Sequence, residues 1–244
     1  FSWAQALLEA RMGSGASQGL AKSIQAVPLA DLEALIEGLP AEAKQKLTVA
    51  LSQPTGRPEV VFVLGGPGAG KGTVSERVVT QFGYKTLSAG DLIRAERKRP
   101  GSAKAELIES RLKEGQLIPS EITVGLIEDE MMRQGWSGRY LIDGFPRSLE
   151  NYTVWKSVLG NKVNLKFTFL LECSESVMEE RLINRGKTSG RSDDNIETIR
   201  KRFVTFKEET VPVLDALASE IPTKKVNSDP DIEIVWGEVV KIFA

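Results

Sequence analysis

The stretch "VVFVLGGPGAGKGTVSERVV", Val60 to Val79, decides how the rest of the chain is read. It opens with a run in which successive residues, not alternate ones, are apolar. That is the mark of a strand covered on both faces, as central parallel strands are. A glycine-rich turn follows, and then a helical pattern. Such a turn aims backbone N–H groups at one point, and the helix N-terminus behind it adds positive potential, so the unit is suited to holding phosphate. Gly65, Gly70 and Lys71 match G-x-x-x-x-G-K, whose lysine reaches the outer phosphates of a nucleotide. Gly72 stands where such loops usually carry the Ser or Thr that helps hold magnesium, and the hydroxyl comes one residue later, on Thr73.

From Glu59 onward, strand-like and helix-like segments alternate. "GRYLID" (Gly138 to Asp143), "KFTFLLE" (Lys166 to Glu172) and the weaker "YKTLS" and "TKKVN" repeat the strand pattern. Helical segments such as "AKAELIESRLKEG", "SEITVGLIEDEMMRQG" and "SVMEERLINRG" lie between them. The alternation predicts an α/β fold, a five-stranded parallel sheet wrapped by helices, with ligands at the carboxyl ends of the strands. Residues 1–57 read instead as a helical N-terminal extension and linker, ahead of a main domain over 58–244. In "PLADLEALIEGLP", Leu29, Leu32, Ile36 and Leu39 recur at helical spacing, and Pro28 and Pro40 stand where the first turn of a helix tolerates proline. "QPTGRP", Gln53 to Pro58, has the composition of a linker.

Composition narrows the chemistry. Over 244 residues, 32 lysines and arginines nearly cancel 33 aspartates and glutamates. No global field therefore draws the chain to nucleic acid or to an anionic membrane, and any anion must be held by a local cluster. Histidine is absent and Cys173 is the only cysteine. A Ser-His-Asp triad, a histidine zinc site, a multi-cysteine metal site and an internal disulfide are all excluded. No apolar run approaches the roughly 20 residues that span a bilayer, so an integral membrane protein is not expected. A cytoplasmic location is, with an organellar or assembly-bound form left open. Because the chain opens on Phe1, a processed form or a piece of something longer is left open too.

Without histidine, holding and moving phosphate falls to lysine, arginine and backbone amides, and arginine forks suit phosphate oxygens. Three segments supply them. "LSAGDLIRAE", Leu87 to Glu96, places Arg94 on a helix after the second strand, where a solvated surface arginine is the plainer alternative. "DGFPRSLEN", Asp143 to Asn151, puts an acidic residue at the end of a core strand and Arg147 on a proline turn. Asp143 can hold magnesium through water or serve as a helix N-cap. "RGKTSGRSDDNIETIRKRF", Arg185 to Phe203, sets Arg191 in a loop and Arg202 on a helix whose Ile196, Ile199, Phe203 and Phe206 have core spacing. That loop can close over a substrate and exclude water, although the same residues also suit a solvated charge run.

Together with "GGPGAGKGT", these segments resemble the adenylate kinase and UMP-CMP kinase family of P-loop nucleoside monophosphate kinases over about residues 59–244, most closely its UMP-CMP branch. The resemblance implies that Gly68, Ala69, Gly70, Lys71, Gly72 and Thr73 surround the phosphates of ATP and that Arg185 lies against its base. It implies that Arg94 and Arg147 grip the acceptor monophosphate beside Ala89 and Gly144, and that Arg191 and Arg202 reach the transferred phosphoryl. The acceptor region would span about 88–120 and a short lid about 186–195. In this family the metal, Mg2+, is held largely by nucleotide phosphates and water, which makes the displaced hydroxyl less of a loss. Asn151 stands where adenylate kinases typically have glutamine and pyrimidine kinases asparagine, and Ala89 also resembles the pyrimidine branch. The expected reaction is ATP-dependent phosphorylation of CMP and UMP, with dCMP a further candidate. An adenylate kinase acting on AMP is the nearest alternative. A docking or structural component of a larger assembly, attached through the helical extension, is a second. A protein partner at that extension and a monomeric kinase domain are expected.

Overall fold

Val60, Phe62 and Leu64 point to one side of β1 (Glu59–Gly65), Val61 and Val63 point to the other, and all five are buried. The unbroken apolar run is thus the consequence of a strand with two dry faces. The computed structural model describes residues 57–189 and 195–244, together with Pro28, Asp31, residues 38–40, Ala43 and Lys44. β1 is central in a five-stranded sheet with β2 (Lys85–Ser88), β3 (Arg139–Asp143), β4 (Asn164–Glu172) and β5 (Thr223–Asn227), in the order β2-β3-β1-β4-β5. All four pairings are parallel. Their register sets Val63 beside Asp143 and Gly65 beside Leu171, so the strands end together at one edge.

Parallel strands need crossovers, and helices supply them on both faces. In chain order these are α1 (Lys71–Phe82), α2 (Ala89–Lys98), α3 (Ala105–Lys113), α4 (Ser120–Arg133), α5 (Leu149–Val158), α6 (Glu175–Gly186), α7 (Ile196–Thr205), α8 (Val211–Glu220) and α9 (Ile232–Phe243). A π-helical turn, Phe206–Thr210, joins α7 to α8. One face of the sheet packs on α4, α5 and α8 through Ile127, Met131, Trp155 and Leu217. The other packs on α1, α6, α7 and α9 through Val78, Leu182, Phe203, Val239 and Phe243. A separate small cluster of Ile93, Ile108 and Ile118 ties α2 to α3 and to the approach to α4.

Two apolar expectations need correction. Ile199 and Phe203 are buried, but Ile196 is 56% exposed, because it is the first residue of α7 and lies beyond the packed stripe. Leu39, expected on a helical apolar face, is exposed at a bend. Leu29, Leu32, Ile36 and residues 53–56 of the expected linker lie outside the described residues. The chain divides into two units, Phe1–Gln53 and Pro54–Ala244. Within the first, the Asp31 N–H donates to the Pro28 carbonyl and the Lys44 N–H to the Pro40 carbonyl, so each proline opens a helical turn.

Candidate active site

The loop between β1 and α1 has the backbone its glycines permit. Gly68 has φ +88°, and a Cβ there would lie 2.6 Å from the Met178 carbonyl oxygen, so the position admits no side chain. Gly72 is different. A Cβ there would meet no protein atom within 4 Å, so no neighbour forces glycine; the space opposite it is the cavity. Lys71 folds back over the loop, and its Nζ donates to the carbonyls of Gly65 and Gly66, 2.8 Å each.

The loop forms one wall of a cavity of about 570 Å³ at the carboxyl edge of the sheet. Gly68, Gly70, Lys71, Gly72, Thr73, Ala89, Arg94, Asp143, Gly144, Arg147, Asn151, Arg185 and Arg202 all line it. Ala69 does not: its side chain is buried in the core and its N–H donates to the Gly66 carbonyl, inside the loop. Its amide therefore shapes the turn instead of facing the cavity. Arg191 and residues 190–194 of the expected lid lie outside the described residues.

Five of the six cations expected at the site, all but Arg191, thus face one space. Burial pushes the Lys71 ammonium down to about 8 from its ordinary 10.5. Asp143 opposes that shift, while the guanidiniums of Arg147, Arg202 and Arg185 reinforce it. Arg94 and Arg147 reach the same point: a Cβ on Gly90 would lie 3.2 Å from Arg94 Nη2 and 3.6 Å from Arg147 Nη2. Arg94 is steadied by Asp91 one turn earlier, Nη2 to Oδ1 at 2.5 Å. Arg147, which follows a cis Phe145–Pro146 peptide, donates from Nε to the Gly144 carbonyl at 2.6 Å. Such crowding of like charge, offset in part by Asp91 and Asp143, makes the cavity attractive to an anion.

Asn151 is buried beside these arginines. Its Oδ1 accepts from the Arg147 backbone N–H at 3.1 Å, and its Nδ2 donates to Ser120 Oγ at 2.8 Å. A backbone N–H can only donate, so the carboxamide has a fixed orientation, with one N–H and one oxygen lone pair left for a ligand. The N-cap alternative for Asp143 does not hold: Ser148 caps α5, accepting from the Asn151 N–H, and Asp143 faces Lys71. Among the described residues no three His, Cys, Asp or Glu side chains converge as a metal cage. The cavity does offer the Asp143 carboxylate and the Thr73 hydroxyl, an oxygen set that suits magnesium carried mainly by phosphates and water.

Several lining residues escaped the reading of the sequence. Arg181 lies one helical turn before Arg185 on α6, a spacing that signals a shared face. Thr205 and Thr210 line it as well and carry no sequence mark of their own; nor does Ser120, which is not a lining residue but is fully buried at the start of α4 and bonded to Asn151. Among the described residues no helix is long and apolar enough to cross a membrane.

Comparison with known proteins bears on the same residues. Residues 63–221 match the family model described as adenylate kinase. The UMP-CMP kinase of Mus musculus is 45% identical over 191 residues, which is 77% of this chain and 97% of that protein. The UMP-CMP kinase of Homo sapiens is 44% identical over the same shares, and that of Xenopus laevis 43% identical over 77% of this chain and 99% of its own.

Proposed function

The chain belongs to the adenylate kinase family of nucleoside monophosphate kinases, and from that premise we propose that it transfers the γ-phosphoryl group of ATP to CMP or UMP, with dCMP a further acceptor. One observation carries the reaction type: Lys71, Arg94, Arg147, Arg185 and Arg202 come from five segments and line one cavity with Asp143. The names of the relatives and the fixed carboxamide of Asn151 support a pyrimidine acceptor.

In this reading the amides of the loop and Lys71 hold the β- and γ-phosphates, and Arg185 lies along the ATP side. Arg94 and Arg147 hold the acceptor phosphate in line with the γ-phosphorus. An acceptor phosphate oxygen is already a competent nucleophile, so no general base is assigned. It forms a bond to the γ-phosphorus while the bond from that phosphorus to the β,γ-bridging oxygen breaks, and ADP leaves with that electron pair. Arg202 and Arg191 neutralise charge spreading over the transferred group, so catalysis is positioning and electrostatics. Asp143 and Thr73 would hold Mg2+ through water. The ion would offset charge between the two nucleotides.

ATP consumption measured against CMP, UMP, dCMP, AMP and GMP tests the reading. CMP and UMP should give the highest kcat/KM, and a preference for AMP would replace it with an adenylate kinase. Asn151→Gln adds a methylene that breaks the fit to both Ser120 and the Arg147 N–H. It should lower kcat/KM for CMP and UMP by about 10–100-fold while sparing the KM for ATP. Unchanged acceptor constants would remove Asn151 from base recognition.

A further inference from the structure

α7 does not end at Thr205 but widens into the π turn Phe206–Thr210 before α8 begins at Val211. The cause is local. Pro212 has no N–H, and in α geometry its ring would press on the carbonyl four residues back. The helix relaxes by one residue: the Val211 N–H donates to the Phe206 carbonyl, five back. In a π turn residues five apart are bonded neighbours, whereas 3.6 residues per turn would swing them to different sides.

The relaxed turn has Thr205 and Thr210 at its ends, and both line the cavity with Phe206 and Arg202. Thr205 Oγ1 lies 3.1 Å from the Gly115 carbonyl oxygen and 3.0 Å from that of Lys201, sharing its proton between them. Thr210, 4% exposed, donates from Oγ1 to the Arg147 carbonyl at 2.9 Å. Gly115 follows α3 and Arg147 follows β3, so the two threonines touch both segments that border the acceptor end of the cavity. The first contact is tight. Gly115 has φ +67°, and a Cβ there would lie 2.9 Å from Lys201 Cβ. Lys201 Nζ also pairs with Glu114 at 3.4 Å.

We propose that the π turn is a two-point clasp, in which the hydroxyls of Thr205 and Thr210 fasten the Gly115 and Arg147 loops to the helix that carries Arg202. Thr205 and Thr210 are positioning residues. They set the spacing between the guanidinium that holds the acceptor phosphate and the one that meets the transferred group. The kinetic part of this inference rests on the phosphoryl-transfer reading above; the clasp itself does not.

Thr205→Val and Thr210→Val remove a hydroxyl at nearly constant shape, and the matching Ser variants retain it. In the full chain, each Val variant should lower kcat about 10-fold and leave the KM for ATP within about twofold. The Ser variants should recover most of the loss. Amide hydrogen exchange at residues 115–117 and 147–149 should quicken in the Val variants and not in the Ser variants. Wild-type kcat in both Val variants, a loss that Ser does not rescue, or unchanged exchange in those segments would each overturn the clasp. Wild-type protein inactive toward every acceptor would overturn the reading of function, and the exchange experiment would still decide the clasp.

Discussion

Lys71→Met is expected to abolish most phosphoryl transfer and, in the same protein, to raise the stability of the ligand-free fold. Loss of one preorganised charge from a water-poor site lowers turnover by about 10³-fold, and Lys71 is the cation that the phosphate loop itself carries. The stability gain follows from its environment. Burial and three guanidiniums hold the ammonium at about 8, below its value of 10.5 in the unfolded chain. Between those two pH values the unfolded chain binds a proton that the folded chain has shed, so wild-type stability rises with pH across that window. At pH 7 the lysine is charged in both states and the penalty is fully present. Its size is on the order of 1–3 kcal/mol, allowing for solvent access to a half-buried side chain. Methionine removes it, so urea unfolding at pH 7 should show a more stable variant, with the difference vanishing by about pH 10.5. A destabilised, inactive variant would mean that Lys71 is a packing residue. The wild-type enzyme should also lose kcat/KM for ATP above about pH 8 as the free enzyme sheds this proton, while kcat persists to higher pH because bound phosphates hold the proton on.

Arg147→Ala is expected to lower kcat/KM for the acceptor by about 10³-fold and to leave the KM for ATP within a few-fold. The guanidinium is held by the Gly144 carbonyl and shares its space with Arg94, so its removal takes half of the proposed phosphate grip. Arg147→Lys should restore only part of the loss, because a point charge lacks the two-pronged geometry. A second readout separates this role from a structural one. Of the guanidiniums that depress Lys71, Arg147 has the largest effect, so the high-pH break in kcat/KM for ATP should move upward in Arg147→Ala. An unmoved break, with acceptor kinetics intact, would place Arg147 outside the site.

How far the chain could be read before folding depended on whether a feature is local. β1, the phosphate loop and α1 are contiguous, and their apolar run, glycines and lysine describe the same unit in one dimension as in three. Arg94, Arg147 and Arg202 were legible for a related reason: each follows a strand or starts from a turn with its own punctuation, and parallel strands bring those ends to one edge. Ala69 is set apart from its neighbours in the motif because a motif gives positions and not directions; its amide closes the loop on Gly66 and its side chain is buried. Ile196 was misplaced because helical periodicity does not mark where packing begins.

The order of residues by itself determined the double-faced central strand, the phosphate loop, the exclusion of histidine and multi-cysteine chemistry, and the set of arginines available, since these are matters of composition and short-range spacing. Tertiary structure alone decided that Lys71 is depressed by burial, reinforced by three guanidiniums remote from it in sequence, and that Asn151 is fixed between Ser120 and Arg147. It also decided that two threonines five residues apart reach loops 90 and 63 residues away. Electrostatic fields and hydrogen bonds act through distance in space, and only the folded sheet brings those distances within their range.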